Sequence, residues 1–379
     1  MPEEGRQGGL LQSDRNYPIG IILESRCIMN HMLRCWPILC LFTLLPIFLG
    51  CSREVKDVPL SNRLMTVADK FYDVEAVSAE KAVVVGYGGK ILLTSDAGKT
   101  WQLKDSGTNL ALYAVEFPSP QIGWISGQEG LLLKTEDGGE TWQKKESNAP
   151  VPLLSLQFLD ENHGWAVGDR ATYIRTTNGG ESWESGYIEP SLEGVDVNAT
   201  LSLVDPIIYD VHFVDLQNGW MAGEFGKIYH STDGGQSWTE QQNSLLGQEG
   251  IDDALQLPTF FGVHFSSLTE GIAVGLEGKI VTTSDGGQQW TFQKNDTPET
   301  PQLYAPLLLS DGRGWIVGAS GSVFQRQNGS WEKSNLGMPV ITWLRAIDFL
   351  DAQHGWVVGG FGTILRTSNG GESWFPSLG

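Results

Sequence analysis

Cysteine is missing from the chain beyond position 51. The four cysteines are Cys27, Cys35, Cys40 and Cys51. The rest of the chain can hold no disulfide, no thiolate-bound zinc and no cysteine nucleophile. Charge is also scarce, at 18% of 379 residues, and basic charge most of all. There are 25 Lys and Arg against 45 Asp and Glu, a net charge of −20. Nucleic-acid binding needs clustered Lys and Arg to neutralise phosphates, so that class is excluded. No apolar run reaches the length of a membrane-spanning helix, about 18 residues or more. Glycine is abundant, with 47 residues, and so is tryptophan, with 14. Many glycines and aromatics with few charges indicate short strands and tight turns. A hydrophobic content of 40% argues against disorder. Length alone allows two or three domains or one large all-β domain.

The longest apolar run is Trp36–Gly50, WPILCLFTLLPIFLG, without a charge. Its fifteen residues suit the hydrophobic region of a signal peptide, with Arg34 as the positive segment before it. It ends in Phe48-Leu49-Gly50-Cys51, which resembles a bacterial lipobox, although Phe48 is unusual at its position. That resemblance implies acylation of Cys51. A plain anchor helix is the alternative. Met29 and Met32 both precede Arg34 closely, so residues 1–50 read as an over-extended start plus a lipoprotein signal. Residues 51–66 then form the acylated N-terminus and a linker. Ser52, not Asp, follows Cys51, so the expected location is an outer membrane, facing the periplasm, where two membranes are present.

From residue 67 onward one unit recurs seven times. The box [ST]-x-[DN]-G-G-x-[ST]-W ends at Trp101, Trp142, Trp183, Trp238, Trp290 and Trp374, with a shortened copy, RQNGSW, at Trp331. A Gly stands ten residues before each box Asp or Asn, as Gly86, Gly127, Gly168, Gly223, Gly275, Gly318 and Gly359. Gly-Trp recurs at Trp124, Trp165, Trp220, Trp315 and Trp356. Only Trp36 and Trp343 fall outside these two tryptophan columns. Each unit divides into four short alternating runs; in the second copy they are LYAVEF, GWISG, LLLKT and TWQKKE. Four-stranded units of about 41 residues stacked radially make a propeller. The expected fold is therefore an all-β, seven-bladed β-propeller over residues 67–379, four antiparallel strands to a blade.

The box position is filled by Asp96, Asp137, Asp233 and Asp285 but also by Asn178, Asn328 and Asn369. Asn carries no charge, so a carboxylate is not required. Both residues offer an oxygen that accepts backbone N–H groups in a turn. These seven positions are therefore assigned a structural role, and the box glycines positive φ. No catalytic, cofactor-binding or metal residue is assigned.

The Asp boxes resemble those of sialidases and other bacterial-neuraminidase-repeat propellers. The full unit, V-x-F, G-W-x-V-G-x-x-G and DGG-x-[ST]-W, is more similar to the photosystem II stability/assembly factor family. That resemblance implies a seven-bladed, non-catalytic propeller that binds a protein during assembly of a membrane complex. Photosynthetic members carry an arginine-lined patch for their partner, whereas only eight arginines follow Cys51 here.

Two features mark a binding face. The insertions that stretch the tryptophan spacing from 41 to 55 and 52 fall in inter-blade segments, roughly 184–206 and 239–258, and carry many acids, including Asp252 and Asp253. The starts of the innermost strands place Tyr72, Tyr113, Leu154, Tyr209, Phe261 and Arg345 around the channel mouth, with Trp343 nearby. Aromatics with one Arg suit contact with a peptide or ligand. A deeper column reads Glu75, Glu116, Gln157, His212, His264 and Asp348; such residues either line a water-filled channel or hold a metal. The expected partner is a membrane-associated protein with a basic surface, and the expected state is a monomer. The rival class is an Asp-box glycoside hydrolase, sialidase-like, or a carbohydrate-binding propeller. The sialidase Arg-Ile-Pro signature is absent, and Arg175 and Arg366 share a column without a third arginine.

Overall fold

The computed structural model describes residues 64–188, 205–294, 301–327 and 329–377. Cys51, the apolar N-terminal run, Asn328 and most of the 184–206 insertion lie outside them. All described residues belong to the unit Asp57–Gly379.

Each repeat folds into its own four-stranded antiparallel sheet, so there are seven sheets in chain order and no strand is shared between them. Blade two is made of Leu112–Glu116, Gly123–Gly127, Leu132–Thr135 and Gln143–Lys145. The seven innermost strands are Phe71–Glu75, Leu112–Glu116, Leu153–Phe158, Ile208–Phe213, Phe260–Phe265, Leu303–Leu308 and Leu344–Phe349. Each lies beside the next, and the seventh lies beside the first. Second strands such as Gly123–Gly127 are buried along their whole length, as strands covered on both faces must be.

The Gly-Trp column binds the blades to one another. Trp220 of blade four stacks on Phe265 of blade five at 3.6 Å, and Trp165 on Phe213 at 3.8 Å. The indole Nε1 of Trp165 donates to the Gly234 carbonyl of the next blade's box at 2.9 Å. The second box glycine is required for this contact. A Cβ on Gly180 or Gly235 would collide with Trp124 or Trp165, and both glycines have φ near +80°.

The turns behave as the Asp/Asn variation implies. Asp137 Oδ1 accepts from the Thr141 amide at 2.9 Å and the Thr135 hydroxyl at 2.7 Å, while Oδ2 accepts from the Thr141 hydroxyl at 2.6 Å. Asn178 Oδ1 takes the matching amide and hydroxyl, and its Nδ2 donates to Ser182 Oγ at 2.8 Å. The hydroxyl simply reverses its role. These bonds hold the Asp96 and Asp137 carboxyls down to about 2.

Side chains and packing close the ring without a shared strand. Asp348 of blade seven accepts from the Ala76 amide of blade one at 2.7 Å, and Trp101 Nε1 donates to Ser377 Oγ at 3.0 Å. Leu64 and Met65 pack beside Phe71, Trp356 and Ile364, at the junction of the first and last blades.

Candidate functional site: the channel and its mouth

Every innermost strand carries a β-bulge at the same place. In blade one Phe71 pairs with Gly86 and Asp73 with Val85, so Tyr72 has no partner across the strand. The residues left over in the other blades are Tyr113, Leu154, Tyr209, Phe261, Tyr304 and Arg345. A bulge adds one residue to a strand and re-aims its side chain. Here it turns all seven toward the axis, where they line the mouth of a central cavity of about 310 Å³. The bulge explains the glycine column. A Cβ on Gly127 would stand 2.5 Å from the Ala111 carbonyl, and one on Gly275 would meet the Thr259 carbonyl. Only glycine lets the entering chain come that close.

The mouth residues form two arcs. Trp343 stacks on Tyr72 with centroids 6.0 Å apart, and Tyr72 meets Tyr113 at 5.6 Å. Across the channel Tyr209 meets Phe261 at 5.0 Å and Phe261 meets Tyr304 at 5.6 Å. The Arg345 guanidinium lies 5.6 Å from the Tyr304 ring. Blade seven stands between blades six and one, so Arg345 separates the arcs at one side and Leu154 at the other. Burial raises the phenol pKa of Tyr72, Tyr113, Tyr209 and Tyr304, so all four are neutral donors at physiological pH. Arg345 is the only Lys or Arg among the residues lining this cavity.

Tyr304 completes the aromatic column and is absent from the sequence-based set. Its strand, LYAPLL, holds Pro306 and Leu307 where other blades have the apolar and polar residues of the pattern, which hides the alignment. A second ring was also missed: Asp73, Ser155 and Asp210 line the cavity one residue below the bulge.

These deeper residues clasp the blades. Asp73 Oδ2 accepts from the Val115 amide of blade two at 2.8 Å. Asp210 accepts from the Val263 amide of blade five at 2.9 Å and from Ser155 Oγ of blade three at 2.8 Å. Gln157 both accepts from and donates to Phe213 of blade four, at 2.6 and 3.2 Å. His212 Nε2 donates to the Phe265 carbonyl at 3.0 Å, and His264 Nδ1 accepts from the Leu308 amide at 3.3 Å. Each histidine thus commits one ring nitrogen to a neighbouring backbone. Their rings lie 4.0 Å apart. Among the described residues no three His, Cys, Asp or Glu converge as a metal site requires. Burial pushes Asp73 up to about 7 and Asp210 to about 6, outweighing their N–H bonds. Glu75 and Glu116 are raised well above the carboxylate range by burial and then by Asp348. Burial pushes His212 down to about 4, and burial and then its neighbour His212 hold His264 well below the ordinary value.

Asp252 and Asp253 stand apart from the mouth. They lie in the segment entering blade five, and Asp253 Oδ1 caps the short 3-10 turn Ala254–Gln256, accepting from Leu255 at 2.9 Å. That segment is a packed element. Leu245 and Leu257 are buried in it, and Gln248 bonds the Trp290 carbonyl and the Phe292 amide. Two of its acids are neutralised locally: Glu240 pairs with Lys227 at 2.6 Å and Glu249 with Lys279 at 2.5 Å.

Known proteins share both the repeat and the ring. Residues 54–152 match the family described as photosynthesis system II assembly factor YCF48, and residues 229–240 match the BNR/Asp-box repeat. The photosystem II assembly lipoprotein Ycf48 of Synechococcus sp. (strain CC9902) is 28% identical over 127 residues, 33% of this chain and 36% of that protein. The resemblance to the photosystem II assembly-factor propellers holds. The match spans about a third of that relative's length. Among solved structures, YCF48 bound to D1 peptide aligns with a TM-score of 0.53 at 22% identity, over 70% of this chain and 80% of that one. YCF48 from Cyanidioschyzon merolae aligns at 0.61 and 20%, over 83% and 98%. An ancestral GH74 enzyme aligns at 0.64 and 14%, over 82% and 47%. At these identities the structures share the fold.

Proposed function

We propose that this chain is a lipid-anchored, extracytoplasmic propeller that binds a membrane-associated protein during assembly of a complex of the photosystem II kind. It works by binding, without catalysis. The observation that carries this reading is the mouth: six bulged positions present Tyr72, Tyr113, Tyr209, Phe261, Tyr304 and Arg345 to one opening. Rigid aromatic side chains with one guanidinium lose little entropy on contact and dominate protein interfaces. The channel carboxylates favour this reading over glycoside hydrolysis, because Asp73, Asp210 and Asp348 already accept backbone amides of the next blade. The Asp boxes are structural turns. Support for the anchor comes from Cys51 and from the Synechococcus relative, which is named a lipoprotein. The partner is a protein, by analogy with a structural neighbour solved as YCF48 bound to D1 peptide. The exposed Asp252 and Asp253 add attraction for a basic surface, weakening with salt.

The test is a photo-crosslinking amino acid placed at Tyr113 in cells, with one at Glu140 as control. Crosslinks from position 113 to a membrane-complex subunit are expected. Crosslinks at 113 to nothing above the Glu140 background would reject the mouth as the docking site.

A further inference from the structure

The most exposed large apolar side chains are not scattered. Among the described residues the six highest are Ile341 at 81%, Val67 at 79%, Tyr87 at 62%, Phe375 at 60%, Phe361 at 58% and Leu103 at 57%. All six lie on blades one and seven or in the segments entering them. Four of them share the mouth face: Val67 and Ile341 in the entering segments, Tyr87 and Phe361 in the G-x-x-G turns. The turn Thr66–Asp69 rests on blade seven, with the Gly362 amide donating to the Asp69 carbonyl at 2.9 Å. Beside it a hollow of about 260 Å³ is lined by Met338, Pro339, Ile341, Phe361 and Pro376. The eleven residues between Lys333 and Arg345 carry no charge. Where charge does occur it is paired or placed over a ring: Lys90 pairs with Asp69 at 2.7 Å, and Lys70 lies 5.4 Å from the Tyr87 ring. A contiguous apolar rim on a body of net charge −20 marks an interaction surface.

We propose that this rim is a membrane-contact surface, seated on the same bilayer that holds the N-terminus. The proposal rests on the lipid-anchor reading of Cys51. The described chain begins at Leu64, packed between blades one and seven beside the rim. Thirteen peptide units separate it from Cys51. At about 3.3–3.6 Å each they span at most about 47 Å, a tether that lets these two blades reach the surface holding an acylated Cys51. Exposed Tyr, Phe and Ile side chains suit the interface between headgroups and acyl chains. An acidic body gains nothing from anionic lipid, so apolar insertion has to supply the contact. Trp343 joins the rim to the mouth through Tyr72, so seating the rim leaves the mouth opening above the membrane surface, where a membrane protein's exposed segments lie.

The test uses the full-length protein, processed in cells, extracted from membranes and reconstituted into phosphatidylcholine vesicles containing nitroxide-labelled acyl chains. The chain after Cys51 has no cysteine, so Ile341→Cys, Phe361→Cys and, near the Asp-box turns, Glu140→Cys each place one polarity-sensitive fluorophore. At least threefold stronger quenching at 341 and 361 than at 140 is expected. Adding Val67→Asp and Tyr87→Asp should reduce quenching at 341 at least twofold, with an unchanged melting temperature. Equal quenching at the three positions overturns the proposal. So does a blue shift of the fluorophores at 341 and 361 that appears in native membranes and is absent in vesicles of lipid alone, which makes the occupant a protein. The intact mass of the extracted chain decides the anchor separately. A chain held by an uncleaved apolar segment, without acyl groups on Cys51, ends the lipoprotein reading, and the rim is then read in variants with Cys27, Cys35, Cys40 and Cys51 replaced by Ser, so that each again carries one fluorophore.

Discussion

The Asp-box turns and the innermost strands are each repeated seven times, yet they treat repetition in opposite ways. In the described turns the same atoms make the same bonds: Asp96, Asp137, Asp233 and Asp285 accept from the residue four ahead, and Asn178 and Asn369 do likewise. On the innermost strands the backbone repeats while the side chains differ. The bulged position reads Tyr, Tyr, Leu, Tyr, Phe, Tyr, Arg, and the position three residues on reads Glu, Glu, Gln, His, His, Leu, Asp. Identical chemistry at identical geometry meets a need that every blade shares, which is folding. Different chemistry at identical geometry meets a need of the whole ring. The channel and its mouth are where this propeller differs from a generic one.

The sharpest way to break this division is to remove a repeated packing residue. Trp220 is fully buried, stacks on Phe265 and donates to the Gly286 carbonyl at 3.3 Å. Trp220→Ala should cost about 3–5 kcal/mol, read as a large drop in melting temperature. Next comes the turn itself. Asp137→Ala removes the acceptor of three bonds and should cost about 0.5–2 kcal/mol in chemical denaturation, by analogy with a lost helix cap. Asp137→Asn should lie within about 0.5 kcal/mol of wild type, because Asn already serves at 178 and 369. A large loss from Asp137→Asn together with a near-neutral Trp220→Ala would assign the box carboxylate a role beyond the turn.

The channel predicts a pH dependence with a definite sign. Asp73 is raised to about 7 when folded, against 3.8 ordinarily. The folded state therefore binds this proton more tightly, and the stability it contributes is full below about pH 4 and lost as pH rises through 7. His212 acts in the opposite direction: lowered to about 4, it contributes above 6.5 and is lost as pH falls through 4. Asp73→Asn removes the first effect only. Its melting temperature relative to wild type should rise between pH 5 and pH 8, and a flat difference would show that Asp73 is ionised throughout.

Much of this was legible in the sequence because the repeats supply internal alignment. Glycine and tryptophan columns at fixed offsets gave the blades, and Asn at three box positions excluded a required carboxylate. The channel was harder. Tyr72 and Glu75 both face the axis although they are three residues apart, an odd spacing that strict alternation forbids. That mismatch is the trace of the bulge in the sequence, and following it would have found Asp73 and Asp210. The clasping role of Gln157, His212 and His264 was not readable, because their bonds go to the backbone of the next blade, about 50 residues away. The ion pairs that neutralise Glu240 and Glu249 also depend on tertiary contacts that composition does not carry.

The central claim is that the varied positions at the mouth, and not the repeated turns, recognise the partner. The direct measurement is the affinity of the purified chain for the partner identified by crosslinking, read by titration for three variants that retain the wild-type melting temperature. The pair Tyr113→Ala and Tyr209→Ala, and separately Arg345→Ala, should each weaken binding at least tenfold. The pair Glu140→Lys and Gln236→Lys, beside the Asp boxes, should change it less than twofold. Loss of affinity confined to the Glu140 and Gln236 variant would place recognition on the opposite face and contradict the account.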